Sequence, residues 1–132
     1  MELFIPYNVP SSKNSKQIVT IRGTNKKRLI SSALVQKYKK NTETYYFYFR
    51  RDFLKKIKGM DFPIRVGFKF YRDSKRKFDY INALQVVQDL MVDYKWIEDD
   101  NADFLIPVII PYEYNKKNPG VKITVLKDER HI

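Results

Sequence analysis

Residues 62–71 (FPIRVGFKFY) carry the pattern that most restricts how this chain can fold. Apolar side chains recur at every second position on one face, at Ile64, Val66, Phe68 and Phe70, and Arg65, Lys69 and Tyr71 occupy the other face. A period of two residues is typical of a strand with one buried face. The strand ends in the basic turn RDSKRK, and the period then becomes helical over residues 80–95. The predicted buried stripe of that helix is Ile81, Leu84, Val87, Leu90 and Met91.

The remaining segments predict an α+β fold. The sequence predicts a strand over 2–8, a hairpin with arms 17–22 and 27–31, and a helix from Ala33 to about Gly59 capped by Ser31 or Ser32. Strands over 104–114 and 121–126 follow, and the last is expected to pair back on the one before it. The two prolines of 104–114 favour an edge strand or a bulge. The expected order is β-hairpin–α–β–α–β–β, with helices packed on a mixed sheet in one domain, 1–132.

Composition excludes several classes of protein. The chain has no cysteine, and its only histidine is His131, so thiolate and histidine metal sites are not expected. No stretch reaches the roughly 18 apolar residues of a membrane span, and the first residues show no signal-peptide pattern. We therefore expect a cytoplasmic protein.

The net charge of +11 lies entirely in the first half of the chain. Residues 1–58 hold 14 Lys and Arg against 3 acidic residues, whereas residues 59–132 hold 12 of each sign. Such asymmetry favours a polyanionic partner, because neutralising phosphates releases counterions. The alternative is a basic surface that serves only solubility.

Carboxylates gather around the second helix. Asp79 immediately precedes it, and Asn82 and Asp89 are seven residues apart and so share a face. Glu98, Asp99, Asp100 and Asp103 follow, and a tight return of the chain would bring one or two of them back beside the helix. Oxygen ligands of this kind suit Mg²⁺ or Mn²⁺, which cleave phosphodiesters by activating water. The simpler interpretations are that Asp79 caps the helix and that EDDNAD is a solvated loop.

Residues 76–103 resemble the RusA family of Holliday junction resolvases, which are small homodimeric, Mg²⁺-dependent endonucleases found largely in phages and prophages. The residues that carry the resemblance are Arg76 and Lys77, the D-Y-I-N of 79–82, Asp89, Trp96, and the Asp99–Asp100 pair. VPSSKNSKQ also resembles the opening loop of the family. The resemblance implies that Asp79 and Asp100 are metal ligands and that Asn82 is a polar neighbour in the catalytic site. Asp99 matches the first residue of the acidic pair.

Two positions depart from the family pattern. The second aspartate of the motif falls on Ile81, and the helical lysine falls on Gln85. Asp89, Asp99 or Asp103 is then expected to supply the missing oxygen, since flexible oxygen sites tolerate rearrangement.

The basic residues of the loops and turns are predicted to contact DNA phosphates, which would position the substrate without reading its sequence. They are Lys13, Lys16, Lys26, Lys27, Arg28, Arg76 and Lys77. Trp96 is interpreted as a core anchor, and Tyr45, Tyr46 and Tyr48 as packing or dimer-interface residues.

The leading hypothesis is a homodimeric, Mg²⁺- or Mn²⁺-dependent endonuclease that resolves branched DNA. A catalytically impaired protein that binds DNA junctions is the second hypothesis, motivated by Ile81 and Gln85. An RNA-directed nuclease is the third.

Overall fold

The computed structural model describes residues 1–11, 16–20, 22–24 and 26–127. Its strands are β1 (Glu2–Pro6), β2 (Lys16–Thr20), β3 (Lys27–Ser31), β4 (Ile64–Arg72), β5 (Leu105–Tyr114) and β6 (Gly120–Val125). Its helices are α1 (Ala33–Ile57) and α2 (Tyr80–Asp93). The predicted α+β fold and the predicted order of elements are confirmed.

Four strands form a mixed sheet in the order β1–β6–β4–β5, and β2 and β3 form a separate antiparallel pair. Strand β5 is an edge strand parallel to β4, and their register shifts between Lys69 and Tyr71. The edge position and the irregularity expected from Pro107 and Pro111 are therefore both present, because proline cannot donate a hydrogen bond to a second neighbouring strand.

The expectation that the last strand pairs back on β5 is wrong. Strand β6 lies on the other side of β4 and pairs antiparallel with both β4 and β1. The missing amides of Pro107 and Pro111 make β5 a poor central strand, whereas β4 has hydrogen-bonding groups for neighbours on both sides. At the start of β6, Gly120 approaches β1 so closely that a Cβ would overlap the Ile5 carbonyl oxygen.

One face of the sheet is buried under the helices. Phe68 of β4 lies opposite Ile123 of β6, which in turn lies opposite Leu3 of β1. These side chains belong to one core that also takes buried residues from α1 and α2. The alternation of residues 64–70 therefore places the apolar face of β4 as predicted.

Helix α1 spans 25 residues and includes the aromatic run TYYFYF, whose strand propensity does not interrupt the helix. Ser32 caps it by accepting a hydrogen bond from the Val35 amide. On this helix Leu34 and Tyr45 are exposed, and Tyr46 is fully buried. Tyr46 packs against Trp96, which donates an indole hydrogen bond to the Tyr46 carbonyl (2.7 Å). The interpretation of Trp96 as a core anchor is confirmed.

Among the described residues, no helix is both long enough and apolar enough to cross a membrane.

Candidate functional site

Asp79 sits between β4 and α2 and caps the helix. Its Oδ1 accepts hydrogen bonds from the backbone amides of Ile81 (2.8 Å) and Asn82 (3.4 Å). Two of the amides that no helical carbonyl can satisfy are therefore satisfied by this side chain. The side chain remains exposed to solvent.

Asn82 connects the start of α2 to the segment that follows β1. Its Nδ2 donates to the carbonyl of Ser11 (3.3 Å), and the amide of Asp73 donates to Oδ1 of Asn8 (3.2 Å). The turn between β4 and α2 is thus held against residues 8–11. Asn82 therefore fixes residues 8–11 against the start of α2, and its expected role in a catalytic site stays a prediction.

The acidic loop after α2 folds back along the helix. Lys95 adopts a positive φ of 64°, and the Trp96 amide bonds the Met91 carbonyl (2.8 Å). Trp96 and Ile97 are then buried, which fixes where the following carboxylates emerge. After this loop the chain continues into β5, whose first residue, Leu105, pairs with Ile64 at the start of β4.

Asp100 reaches the middle of α2 and meets two glutamine side chains there. Its Oδ2 accepts hydrogen bonds from Nε2 of Gln88 (3.1 Å) and Nε2 of Gln85 (3.4 Å). The same Gln85 nitrogen donates to Oδ1 of Asp89 at 2.6 Å. Gln85 therefore joins two carboxylates that are eleven positions apart in sequence. We call the set of Gln85, Gln88, Asp89 and Asp100 the clasp.

Asp99 and Asp103 make hydrogen bonds within the loop. Asp99 accepts hydrogen bonds from the Asp100 amide (2.8 Å) and from Nδ2 of Asn101 (2.9 Å). Asn101 in turn accepts from the Asp103 amide (2.9 Å). These local bonds are the kind that stabilise tight turns, and they shape the segment that presents Asp100.

The clasp lies away from the cap of the helix. Gln85 follows Asp79 by six residues, which corresponds to about 9 Å of helix rise. Within residues 1–11, 16–20, 22–24 and 26–127, no group of three or more His, Cys, Asp or Glu side chains is placed to hold a metal ion. The structure thus brings Asp89 and Asp100 together through Gln85 and leaves Asp79 at the helix end with Asn82.

Ile81 points away from the core, contrary to its place in the predicted buried stripe. The side chain is 63% exposed, while Tyr80 packs among Phe70, Phe78 and Tyr112. The first turn of α2 therefore anchors itself through Tyr80. A carboxylate at position 81 would face solvent, near the positive end of the helix dipole.

The clasp contains two carboxylates and one carbonyl oxygen without a partner, which are groups that bind hard cations, but both glutamines present their NH₂ groups to the carboxylates. Gln88 is only 8% exposed, and its Oε1 is buried with no hydrogen-bond partner. A buried carbonyl oxygen without a partner is costly, so Oε1 of Gln88 is the one polar atom of the clasp that calls for a ligand. Rotating the carboxamide of Gln85 would turn its oxygen toward the same place, giving a site built of carboxylate and carbonyl oxygens as Mg²⁺ and Mn²⁺ prefer.

Sequence reasoning singled out Gln85 only as a missing lysine and did not single out Gln88 at all. Both are amides on a helix that approaches an acidic loop, and helical spacing alone places them on neighbouring turns. The signal for Gln88 was its polarity inside an apolar stripe. Its partner depends on the return path of the loop, which the sequence does not specify.

A buried arginine was also missed. Arg72 ends β4, donates a hydrogen bond to the Val9 carbonyl, and lies over the Phe78 ring at 4.5 Å. Burial lowers the pKa of Arg72, and the nearby Asp73 opposes that shift. Arg72 therefore positions the segment just before Asp79 from inside the protein.

The structure describes the side chains of only some of the predicted phosphate-binding residues. Arg76 and Lys77 are exposed in the turn before α2, and their neighbour Lys75 lies 5.2 Å over the Tyr114 ring. Lys26 is exposed beside the tip of the β2–β3 hairpin. The side chains of Lys16, Lys27 and Arg28, which belong to the hairpin strands, and the whole of Lys13 lie outside the described part of the chain.

No protein-family model matches the chain, and a search of curated proteins found no match.

Proposed function

We propose that this protein is a Mg²⁺-dependent, structure-selective endonuclease that resolves four-way DNA junctions in recombination and repair. The observation that carries the proposal is the clasp, in which Asp89 and Asp100 converge beside a buried carbonyl oxygen of Gln88 that has no partner. The chain supplies a net charge of +11 for a polyanionic substrate. We further propose that it acts in the cytoplasm of a bacterial cell, encoded by the bacterium or by a phage.

The groups that would hold Mg²⁺ are Asp89, Asp100 and Oε1 of Gln88. Rotation of the Gln85 carboxamide would bring its oxygen, in place of its NH₂ group, next to the ion. When bound, Mg²⁺ supplies an activated water and neutralises charge on the leaving oxygen. The exposed Arg76 and Lys77 contact phosphates and hold the backbone of the substrate across the start of α2. Asp79 and Asn82 keep that helix end and the segment 8–11 in place.

A symmetric four-way junction requires two matched cuts. A two-fold homodimer with one clasp in each subunit provides them, because closed two-fold symmetry is the commonest arrangement of identical subunits. We therefore propose a homodimer as the active form.

The test is cleavage of a four-way junction by the native chain with Mg²⁺ and with EDTA. We expect cleavage only with Mg²⁺, and a loss of more than about a hundredfold in Asp100→Asn, because even changes around metal ligands cost 10- to 100-fold. Asp52→Asn, which removes an exposed carboxylate from α1, is the matched control. Full activity in Asp100→Asn would refute the proposed site. Duplex DNA and structured RNA at the same ionic strength separate a junction enzyme from an RNA-directed nuclease.

A second function is favoured by the same clasp, namely binding of DNA junctions without cleavage. The Gln85 amide already donates hydrogen bonds to both Asp89 and Asp100, and these bonds stabilise the two carboxylates without a cation. Ile81→Asp separates the two functions, since position 81 is exposed and accepts a carboxylate without disturbing the core. Cleavage that appears only in Ile81→Asp identifies the native chain as a binding protein.

A further inference from the structure

Two aromatic side chains stand exposed on the outer side of α1. Phe47 is 63% exposed and Tyr48 is 67% exposed, and their rings meet edge to face with centroids 5.4 Å apart. Side chains of this size are usually buried, so adjacent exposed rings in mid-helix indicate a surface that binds something.

Cations flank the two rings along the helix. Lys37, Lys40, Arg51 and Lys55 are all exposed, and steps of three and four residues place them on one ridge with Thr44 and Tyr48. The ridge from residue 37 to residue 55 is about 27 Å long. Helix α1 as a whole holds seven basic and two acidic residues, a net charge of +5.

A groove runs beside the rings. Its volume is about 310 Å³, and it is lined by Glu43, Thr44, Phe47, Tyr48 and Tyr94. Both rings line this groove, so a planar group that enters it comes to lie beside Phe47 and Tyr48. Bases fit such a space because every base has an aromatic face, whatever its sequence.

We propose that the outer face of α1 binds single-stranded nucleic acid, with bases stacked on Phe47 and Tyr48 and phosphates on Lys40 and Arg51. The charge on the face selects this occupant over a second copy of the chain, since an identical helix would bring another +5 against it. Duplex nucleic acid is disfavoured because its bases are stacked on one another and offer no free face.

This inference rests on the proposed function only in taking nucleic acid as the partner. It assigns single-stranded nucleic acid, as distinct from the paired arms of a four-way junction, to a helix that contributes nothing to the clasp. Binding at α1 needs no metal ion, so it is measured in EDTA, where the proposed cleavage is absent.

The experiment uses a fluorescently labelled oligothymidine and the full chain in EDTA. We expect the double variant F47A/Y48A to bind at least about tenfold more weakly than the native chain, because each stacked base depends on its ring. Leu34→Ala is the matched control, as Leu34 is a 62% exposed apolar residue of the same helix. Arg51→Gln is expected to reduce the slope of log K against log salt by about 0.7, and F47A/Y48A to leave it unchanged.

A second variant reports the stacking directly. The chain has one tryptophan, Trp96, which is buried, so Phe47→Trp places the only exposed indole on the proposed surface. Quenching of its fluorescence by the oligonucleotide supports stacking. Unchanged binding by F47A/Y48A together with an unquenched Trp at position 47 overturns the proposal. If F47A/Y48A binds the oligonucleotide as the native chain does but has a lower molecular mass in solution, the surface is assigned to self-association instead.

Discussion

Helix α1 and helix α2 both contribute to one core, through Tyr46 and Phe53 from α1 and Leu90 and Met91 from α2. Their solvent-facing sides differ in charge and in chemistry. Helix α1 has a net charge of +5, and α2 has two aspartates and no basic residue. In the proposed function, the groups that attract a polyanion and the groups that hold a cation are therefore on separate helices.

In the proposed function, this separation has an electrostatic advantage. Cations placed beside the clasp would compete with Mg²⁺ for Asp89 and Asp100, and carboxylates on the ridge of α1 would repel phosphates. The loop that ends in Asp100 is anchored to α1 through Trp96. The basic face of α1 and the carboxylates of the clasp are therefore separate surfaces that are supported by the same packed core.

The largest effect is expected where that support is removed. Trp96→Ala should lower the free energy of unfolding by about 3–5 kcal/mol, because it empties a buried site between Tyr46 and Phe53 and removes the indole hydrogen bond. Phe47→Ala, which removes an exposed ring from the same helix, should change it by less than about 0.5 kcal/mol. Urea unfolding followed by circular dichroism measures both. Equal effects would show that Trp96 does not anchor the loop.

The next effect concerns the binding of a metal ion at α2. Asp89→Asn should weaken Mn²⁺ binding about 10- to 100-fold, because the substitution removes a charged oxygen from the clasp. Asp52→Asn on α1 should leave the affinity unchanged. Isothermal titration of Mn²⁺ into each variant gives the affinities, and identical affinities in the two variants would break the contrast between the helices.

A buried tyrosine pair on α1 should make stability depend on pH above neutrality. The hydroxyls of Tyr38 and Tyr46 are 3.1 Å apart, and burial raises the pKa of both above the ordinary value of 10.0. The unfolded chain then loses protons that the folded chain keeps, so stability is complete below about pH 10 and falls as the pH rises further.

Tyr38→Phe should reduce this fall by about 1.4 kcal/mol in total between about pH 9 and pH 11, since one buried titrating group is removed. Tyr48→Phe, which changes an exposed ring of the same helix, should leave the fall as it is. Urea midpoints measured at several pH values from about 9 to 11 provide the slopes. A native-like slope in Tyr38→Phe would contradict the assignment.

The smallest effect separates the capping role of Asp79 from a metal-binding role. Asp79→Ala should cost about 1 kcal/mol of stability, whereas Asp79→Asn should cost only a few tenths, because Asn caps helices nearly as well as Asp. Thermal unfolding measures the difference. Cleavage retained in Asp79→Asn agrees with the clasp as the metal site, and cleavage lost from a fully stable Asp79→Asn would shift the site toward the end of the helix.

Local patterns in the sequence predict most of the fold. The alternation at Ile64 to Phe70 and the helical spacing around Leu84 and Leu90 describe interactions among near neighbours, so they are visible without the tertiary structure. The place of β6 depends on which strand has free hydrogen-bonding groups. That choice is non-local, although Pro107 and Pro111 already argue against β5 as a central strand.

The candidate site is less predictable for the same reason. The sequence indicates that carboxylates surround α2, and the structure brings Asp100 back to that helix. The exact meeting point depends on the positive φ of Lys95 and on the burial of Trp96. A shift of one helical turn would exchange Gln85 and Gln88 for other partners, and no residue pattern specifies that turn.

The most direct test of the central claim is the response of the glutamine side-chain amide signals to Mn²⁺ in nuclear magnetic resonance spectra. If the clasp holds the cation, substoichiometric Mn²⁺ should broaden the NH₂ signals of Gln85 and Gln88 first and leave that of Asn41, an exposed residue of α1, sharp. The same broadening should vanish in Asp100→Asn. Sharp Gln85 and Gln88 signals under conditions that broaden other side-chain amides would contradict the claim.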